Sequence, residues 1–176
     1  MNKINSKIKL IGLISIITLS AISLNQSAGS ISGNSGSKNG DVFPVIAQEF
    51  NIDVSEENDG FRDISVIIPI DEITTDNWMR DVHMRMSIFD SKYKNVEFIS
   101  KTNIPLESGI YDLTGDLKIN GISNPSTLQI EIYNKGDNLF AKGSSTVRLT
   151  AYKIASPGMG SMKVKDEISI NFDLKL

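Results

Sequence analysis

From residue 111 to residue 119, apolar or small side chains hold every odd position (Tyr111, Leu113, Gly115, Leu117, Ile119) and polar ones hold every even position. A period of two is what a strand shows when one face is buried and the other wetted. Turn signals follow at Gly121, Asn124 and Pro125, and the alternation then resumes with Leu128, Ile130 and Ile132 set between Thr127, Gln129, Glu131 and Tyr133. Two half-buried strands joined by a short loop form an antiparallel pair with one apolar face. They are expected over residues 111–120 and 126–134.

The same rhythm runs along the rest of the chain. Ile46, Gln48, Phe50, Ile52 and Val54 make one face of a first strand, and Ile64, Val66, Ile68 and Ile70 make a second. Val96 and Phe98 belong to a third. Leu139, Ala141, Gly143, Ser145, Val147 and Leu149 line a long sixth strand, and Ile168, Ile170, Phe172, Leu174 and Leu176 a last one. Seven such strands, with a hairpin signal across residues 134–138, predict an all-β antiparallel fold: a roughly eight-stranded barrel, or a sandwich. A barrel of that size has an interior that side chains just fill or that holds one small ligand. Gly115, Ala141 and Gly143 leave room on the inward faces, and the pattern is compatible with either interior.

One segment breaks the period. Across residues 71–87, Trp78, Val82 and Met86 recur at fourfold spacing with Met79 beside them, which is helical spacing. A single short helix between strands is expected there, capped by Thr75 or Asp76 and lying across one end of the barrel with its apolar side inward.

The first 28 residues read differently. Lys3, Lys7 and Lys9 come with no acid, an apolar run follows to Leu24, and small polar residues begin at Asn25. This is the pattern of a secretory signal, shorter than a membrane anchor requires. The expected destination is the periplasm or outside the cell, with no stable membrane insertion of the mature chain. Residues 29–43, rich in Gly, Ser and Asn at their start, read as a flexible linker or a reduced first hairpin, leaving residues 44–176 as the barrel domain. The chain has no cysteine, so its stability has to come from an apolar core. Its formal net charge of −3, more negative without the lysine-bearing segment, argues against nucleic acid as a partner.

Reactive chemistry is sparse. Arg80, Asp81 and His83 form the one constellation that tempts an enzymatic reading, but residues two apart on a helix point in different directions, so Asp81 does not orient His83. Without cysteine there is no thiol nucleophile, and a lone histidine is a poor basis for a metal site. A non-enzyme without cofactor or metal is expected. Arg80, His83 and Arg85 are better placed to donate hydrogen bonds to an oxygen-bearing head group at the barrel mouth.

Three stretches in order resemble the YceI-like family. Met79-Arg80-Asp81-Val82-His83-Met84-Arg85 with Ile88-Phe89-Asp90 is similar to that family's helix, and Asn95-Val96-Glu97-Phe98-Ile99-Ser100 to the strand that follows it. Leu113 through Pro125 (LTGDLKINGISNP) is similar to the family's strand and turn. The resemblance implies a lipocalin-like, eight-stranded barrel, frequently exported, whose lumen takes a long apolar or amphiphilic molecule such as an isoprenoid quinone or another lipid. It also implies that the first strand pair of the family is missing or reduced here. The segment after the sixth strand departs from the family pattern, reading Ala151-Tyr152-Lys153-Ile154.

Under that implication the lumen-lining candidates are Phe50, Ile52, Ile68, Phe98, Leu113, Leu117, Ile119, Ile130, Ile132, Val147, Ile170 and Phe172, with Arg80, His83 and Arg85 toward a head group. The expected function is an exported protein that sequesters or carries a lipid of this kind, possible as a homodimer. The alternative is an interaction or stress-response protein with a filled barrel, acting through its surface.

Overall fold

A computed structural model describes residues 21–24, 29–57 and 60–176 of the chain. Except for residues 21–24, the stretch read as a secretory signal lies outside the described residues. Within them are β1 (Ala21–Leu24), β2 (Gly29–Gly36), β3 (Val42–Ala47), β4 (Asn51–Glu57), β5 (Gly60–Pro69), β6 (Ile73–Thr74), β7 (Asn95–Ser100), β8 (Gly109–Ile119), β9 (Ile122–Lys135), β10 (Asn138–Arg148) and β11 (Glu167–Lys175). One helix, α1 (Trp78–Ser87), lies between β6 and β7. No helix among the described residues is long and apolar enough to cross a membrane.

All eleven strands join one antiparallel sheet in the order β1-β4-β5-β7-β8-β9-β10-β11-β2-β3-β6. The sheet curls into a half-barrel, and strands near its two ends line a single cavity. Beyond Pro69 the chain turns through Ile70–Glu72 into β6, which pairs with β3 at Ile46–Thr74 and Ala47–Ile73. The Gln48 N–H donates to the Glu72 carbonyl at 2.8 Å, tying the far wall back to the end of β5.

The strand count exceeds the eight expected for identifiable reasons. The first expected strand is two, β3 and β4, separated at residues 48–50 where Gln48 had interrupted the pattern. The phase changes across that break: Phe43, Val45 and Ala47 face the cavity from β3, whereas Ile52 and Val54 are buried on β4. Residues 29–36 are a strand rather than a linker, pairing with β11 from Gly29–Leu174 to Asn34–Ser169. A strand whose inward positions are Ile31, Gly33 and Ser35 carries little apolar signal, and its small residues serve close approach. A Cβ on Gly33 would lie 2.0 Å from the Ser169 carbonyl oxygen. The first hairpin is therefore present.

The turn after β8 is Asn120–Gly121, both at positive φ (50° and 72°), a mirror-type turn that matches strand twist. Asn124 and Pro125, read from the sequence as turn residues, lie inside β9, where Pro125 faces Asp116 on β8. The pairing of β9 with β10 stops at Gln129–Ser144, so at Pro125 one side of the strand is an edge and the missing N–H costs no ladder bond.

Polar positions of the alternation face outward and pair across strands: Lys118 with Glu97 at 3.2 Å, Lys142 with Glu131 at 3.1 Å and Arg148 with Glu167 at 2.9 Å. Such exposed pairs are worth about 0–1 kcal/mol each, so they fix register more than they add stability. Stability comes from two apolar clusters. One, containing Phe50, Ile52, Phe61, Ile104, Ile130 and Ile132, seals the closed end of the barrel. The other, around Ile119, Leu149, Tyr152 and Ile154, packs beneath the open end.

Between these clusters, inward residues such as Leu128 and Val147 are only half-buried, because they face a cavity and not an opposite wall. Ile52→Ala should therefore cost about 2–5 kcal/mol, since Ile52 is 1% exposed. Val147→Ala should cost about 1 kcal/mol or less, two half-buried carbons being removed at about 0.8 kcal/mol per fully buried methylene. Urea unfolding of both variants tests this, and equal losses would contradict it.

Candidate functional site

The curled sheet encloses a cavity of about 1160 Å³, open at the α1 end. Its lining is graded. Deep in the barrel it is aliphatic, with Ile52 and Ile64 on one wall, Leu113 and Ile130 on the next, and Ala141 and Leu174 beyond, and the hydroxyl residues Ser126 and Ser145 interrupt it halfway along. Polar groups gather toward the mouth: Ser37 and Asp41 from the β2–β3 turn, and Asn77, Arg80 and His83 from α1. Two inward glycines shape the passage by accepting aromatic rings. The Phe98 ring covers Gly115, where a Cβ would sit 2.5 Å from it, and the Phe172 ring covers Gly143 at 2.6 Å. The room these glycines leave is thus occupied by side chains of neighbouring strands.

Among the expected lining residues, Ile52, Ile68 and Phe98 face the cavity from β4, β5 and β7, and Leu113, Leu117 and Ile119 face it from β8. Ile130, Val147, Ile170 and Phe172 complete the set from β9, β10 and β11. Phe50 and Ile132 do not line it. They are sealed in the closed-end cluster, Phe50 at the corner before β4 and Ile132 opposite Gly109 at the end of the hairpin. Sequence reasoning missed Phe43, Val45 and Ala47 because Val42, Pro44 and Ile46 make β3 apolar in both phases. It also missed Ile104, which sits in a loop with no alternation to reveal it and is clamped to Phe61 by reciprocal backbone bonds of 2.8 and 3.0 Å.

The helix is set over the mouth by a polar anchor. Asn77, and neither Thr75 nor Asp76, is the N-cap: its side chain accepts the Arg80 N–H at 3.0 Å. Asp81 is buried and accepts three hydrogen bonds, from the Thr74 hydroxyl at 2.6 Å, the Thr75 N–H at 2.7 Å and the Thr75 hydroxyl at 2.5 Å. Burial pushes the Asp81 carboxyl up, but these bonds and the nearby Arg85 charge outweigh it and hold the group below its ordinary value. At the other end of the helix, Asn120 donates to the Ile88 carbonyl at 2.7 Å and accepts the Asp90 N–H at 3.0 Å. The stripe Trp78, Val82 and Met86, expected to face the barrel, is instead exposed. Asp81 and Met84 make the inward contact, because hydrogen bonds to the β6 edge fix which side of the helix turns in.

The three head-group candidates separate. Arg80 lies at the mouth with its guanidinium 4.3 Å from the centre of the Phe43 ring and its Nη1 donating to the Thr75 carbonyl at 3.1 Å. No carboxylate pairs with it among the described residues. His83 is exposed on the same rim. Arg85 points elsewhere: its Nη2 donates to the Asp71 and Ile73 carbonyls at 2.8 and 3.4 Å, fastening α1 to the turn before it. A new polar group joins Arg80. Ser35 pairs with Phe43 across β2 and β3, lines the cavity, and has a buried Oγ with no hydrogen-bond partner among the described residues. An aromatic ring flanked by a guanidinium and an orphaned hydroxyl is a seat for an oxygen-bearing group.

Comparison with known proteins gives the same architecture. The family model described as "YceI-like domain" matches residues 21–176. Protein YceI of an Escherichia coli strain is 32% identical over 85 residues, which is 47% of this chain, and the chain spans 44% of that relative's length. The crystal structure of Burkholderia cenocepacia BcnA has a TM-score of 0.71 at 18% identity, over 84% of this chain and 96% of that one. The structure of a polyisoprenoid binding domain from Saccharophagus degradans has a TM-score of 0.70 at 12% identity, over 89% and 97%. At these identities the two structures speak to shared fold.

Asp81 makes the helix anchor pH-dependent. A carboxyl lowered by folding contributes stability that is complete above its unfolded value of about 3.9 and is lost as pH falls through the folded value. Asp81→Asn should melt below the parent protein at neutral pH, and the gap should close as the pH drops from about 4 downward. Thermal melts across that range check the sign; a gap that widens in acid would overturn it.

Proposed function

The chain belongs to the YceI-like domain family, and on that footing we propose that it is a non-catalytic carrier whose lumen takes a long apolar or amphiphilic molecule of isoprenoid-lipid type. One observation carries the reading: a large cavity that is mostly apolar in depth and polar at its rim. At about 1160 Å³ it exceeds the roughly 300–1000 Å³ of ordinary small-molecule sites, which favours an extended chain over a compact metabolite. Each methylene moved from water onto such a lining contributes about 0.8 kcal/mol, so a long chain offsets the cost of association many times over. A structural relative whose description names polyisoprenoid binding supports the same ligand class.

Amphiphile orientation follows from the grading. The chain lies along Leu113, Leu117 and Ile170, and a carbonyl, hydroxyl or phosphate oxygen meets Arg80 and Ser35 against the Phe43 ring. His83 stands on the same rim. Asp81 serves the helix anchor, and we assign it no chemistry with the ligand. The amino-terminal pattern of lysines followed by an apolar run supports export to the periplasm or beyond the cell.

Mass spectrometry of an organic extract tests the reading, using mature protein purified from a periplasm without detergent. A stoichiometric long-chain species is the expected result; a clean extract, repeated after incubation with isoprenoid quinones and fatty acids, would sink it. Leu117→Arg, placed on the half-buried lining, should abolish uptake, whereas Ile99→Arg on the outer face should leave uptake intact. Arg80→Gln combined with Ser35→Ala should lose about 10- to 100-fold in affinity for a polar-headed isoprenoid, one to two hydrogen bonds to a charged group being worth about 1.5–3 kcal/mol. The same double variant should keep its affinity for the bare hydrocarbon chain.

A further inference from the structure

Seven of the nine large hydrophobic side chains exposed among the described residues sit at the mouth end of the barrel. Trp78, Met79, Val82 and Met86 lie on α1, Met159 and Met162 on the loop before β11, and Val42 at the start of β3. The rest of the described surface contributes Ile99 and Ile110. Trp78 is 74% exposed and Met159 80% exposed, so these are whole side chains in water and not the edges of buried ones. Met79 and Met159 also line the cavity, which makes the exposed patch continuous with the apolar interior.

Lysines cluster on the loop side of this end. Residues 149–165 carry Lys153, Lys163 and Lys165 and no acidic residue, in a chain whose formal net charge is −3. Lys38 joins them, because its N–H donates to the Lys163 carbonyl at 2.9 Å and so holds the β2–β3 turn beside that loop. Of the acidic side chains, Asp112, Glu131 and Asp173 lie on the outer wall, while Asp41 and Asp166, beside the lysines, accept hydrogen bonds from Asn39 and Thr150. A rim of Trp and Met next to lysines matches an anionic lipid surface, where the apolar groups enter the headgroup boundary and the ammonium groups meet phosphates. A monomer gains nothing from leaving such a stripe in water.

Resting on the carrier reading, we propose that the mouth face docks reversibly on an anionic bilayer, so that cargo passes between membrane and lumen along a continuous apolar path. Docking is peripheral: α1 lies in the interface, with Trp78, Val82 and Met86 toward the lipid and Asp81 holding it to the barrel.

Trp78 is the sole tryptophan and therefore reports on this face alone. Vesicles of phosphatidylglycerol and phosphatidylethanolamine should shift its emission to the blue and allow quenching by brominated acyl chains. Phosphatidylcholine vesicles should bind at least tenfold more weakly, and added salt should weaken the anionic response. Val82→Ser with Met86→Ser, and separately Lys163→Glu with Lys165→Glu, should each lose at least tenfold in vesicle affinity while loading soluble, detergent-delivered cargo normally. Emission that vesicles leave unmoved would overturn the proposal. So would a blue shift that follows protein concentration without vesicles and coincides with a dimer on gel filtration, since a second copy would then cover the face. Docking without any cargo uptake would refute the carrier reading and leave docking standing; uptake without docking would do the reverse.

Discussion

The ladder between β2 and β11 is the constraint on which the molecule's shape depends. It carries the β2–β3 hairpin onto the free side of β11, and β3 in turn pairs with β6 and so with the end of β5. Remove that ladder and the remaining strands form an open gutter. The ladder demands small residues: at Gly33 the backbone of β11 comes so close that no side chain fits. The mouth inherits its geometry from the same pairing. Phe43 faces inward because β3 is registered against β2, and Arg80 then has a ring to lie against.

This arrangement separates what holds the fold from what the fold encloses. The closed-end cluster around Ile52, Ile130 and Ile132 and the mouth-end cluster around Leu149 and Tyr152 hold the most deeply buried side chains. The stretch of wall between them is held by its backbone ladders and by rings laid over Gly115 and Gly143. Tyr152, whose hydroxyl burial pushes up against the opposing effect of a bond with Asn124, belongs to the supporting cluster although it stands where the family's sequence pattern is least well kept.

Most of the wall was legible in the sequence because a one-sided strand writes its burial into every second residue. β8, β10 and β11 show this, and their inward residues are where the alternation puts them. The misreadings have physical causes. β2 is built from glycine and serine for close approach, which looks like a linker. β3 is apolar on both faces, so its phase was ambiguous. Pro125 sits on a strand edge, which looks like a turn. The helix was legible as a helix but not in its orientation, since its period gave the stripe of Trp78, Val82 and Met86 while the anchor is Asp81, a polar residue whose partners lie on another element. Ser35 could not have been found from sequence: its significance is an unpartnered oxygen, and only the surroundings reveal that.

The half-buried lining has a consequence for how such a protein changes over generations. On the carrier reading, half-buried side chains that face the lumen, such as Leu128 and Val147, contribute little to holding the chain folded, so mutation there is filtered by cargo more than by foldability. Residues sealed away from the lumen at the closed end, such as Phe50 and Ile132, are by contrast filtered by foldability alone. Selectivity in this architecture can therefore drift or be redirected residue by residue, with the scaffold as a fixed background against which new ligands are tried.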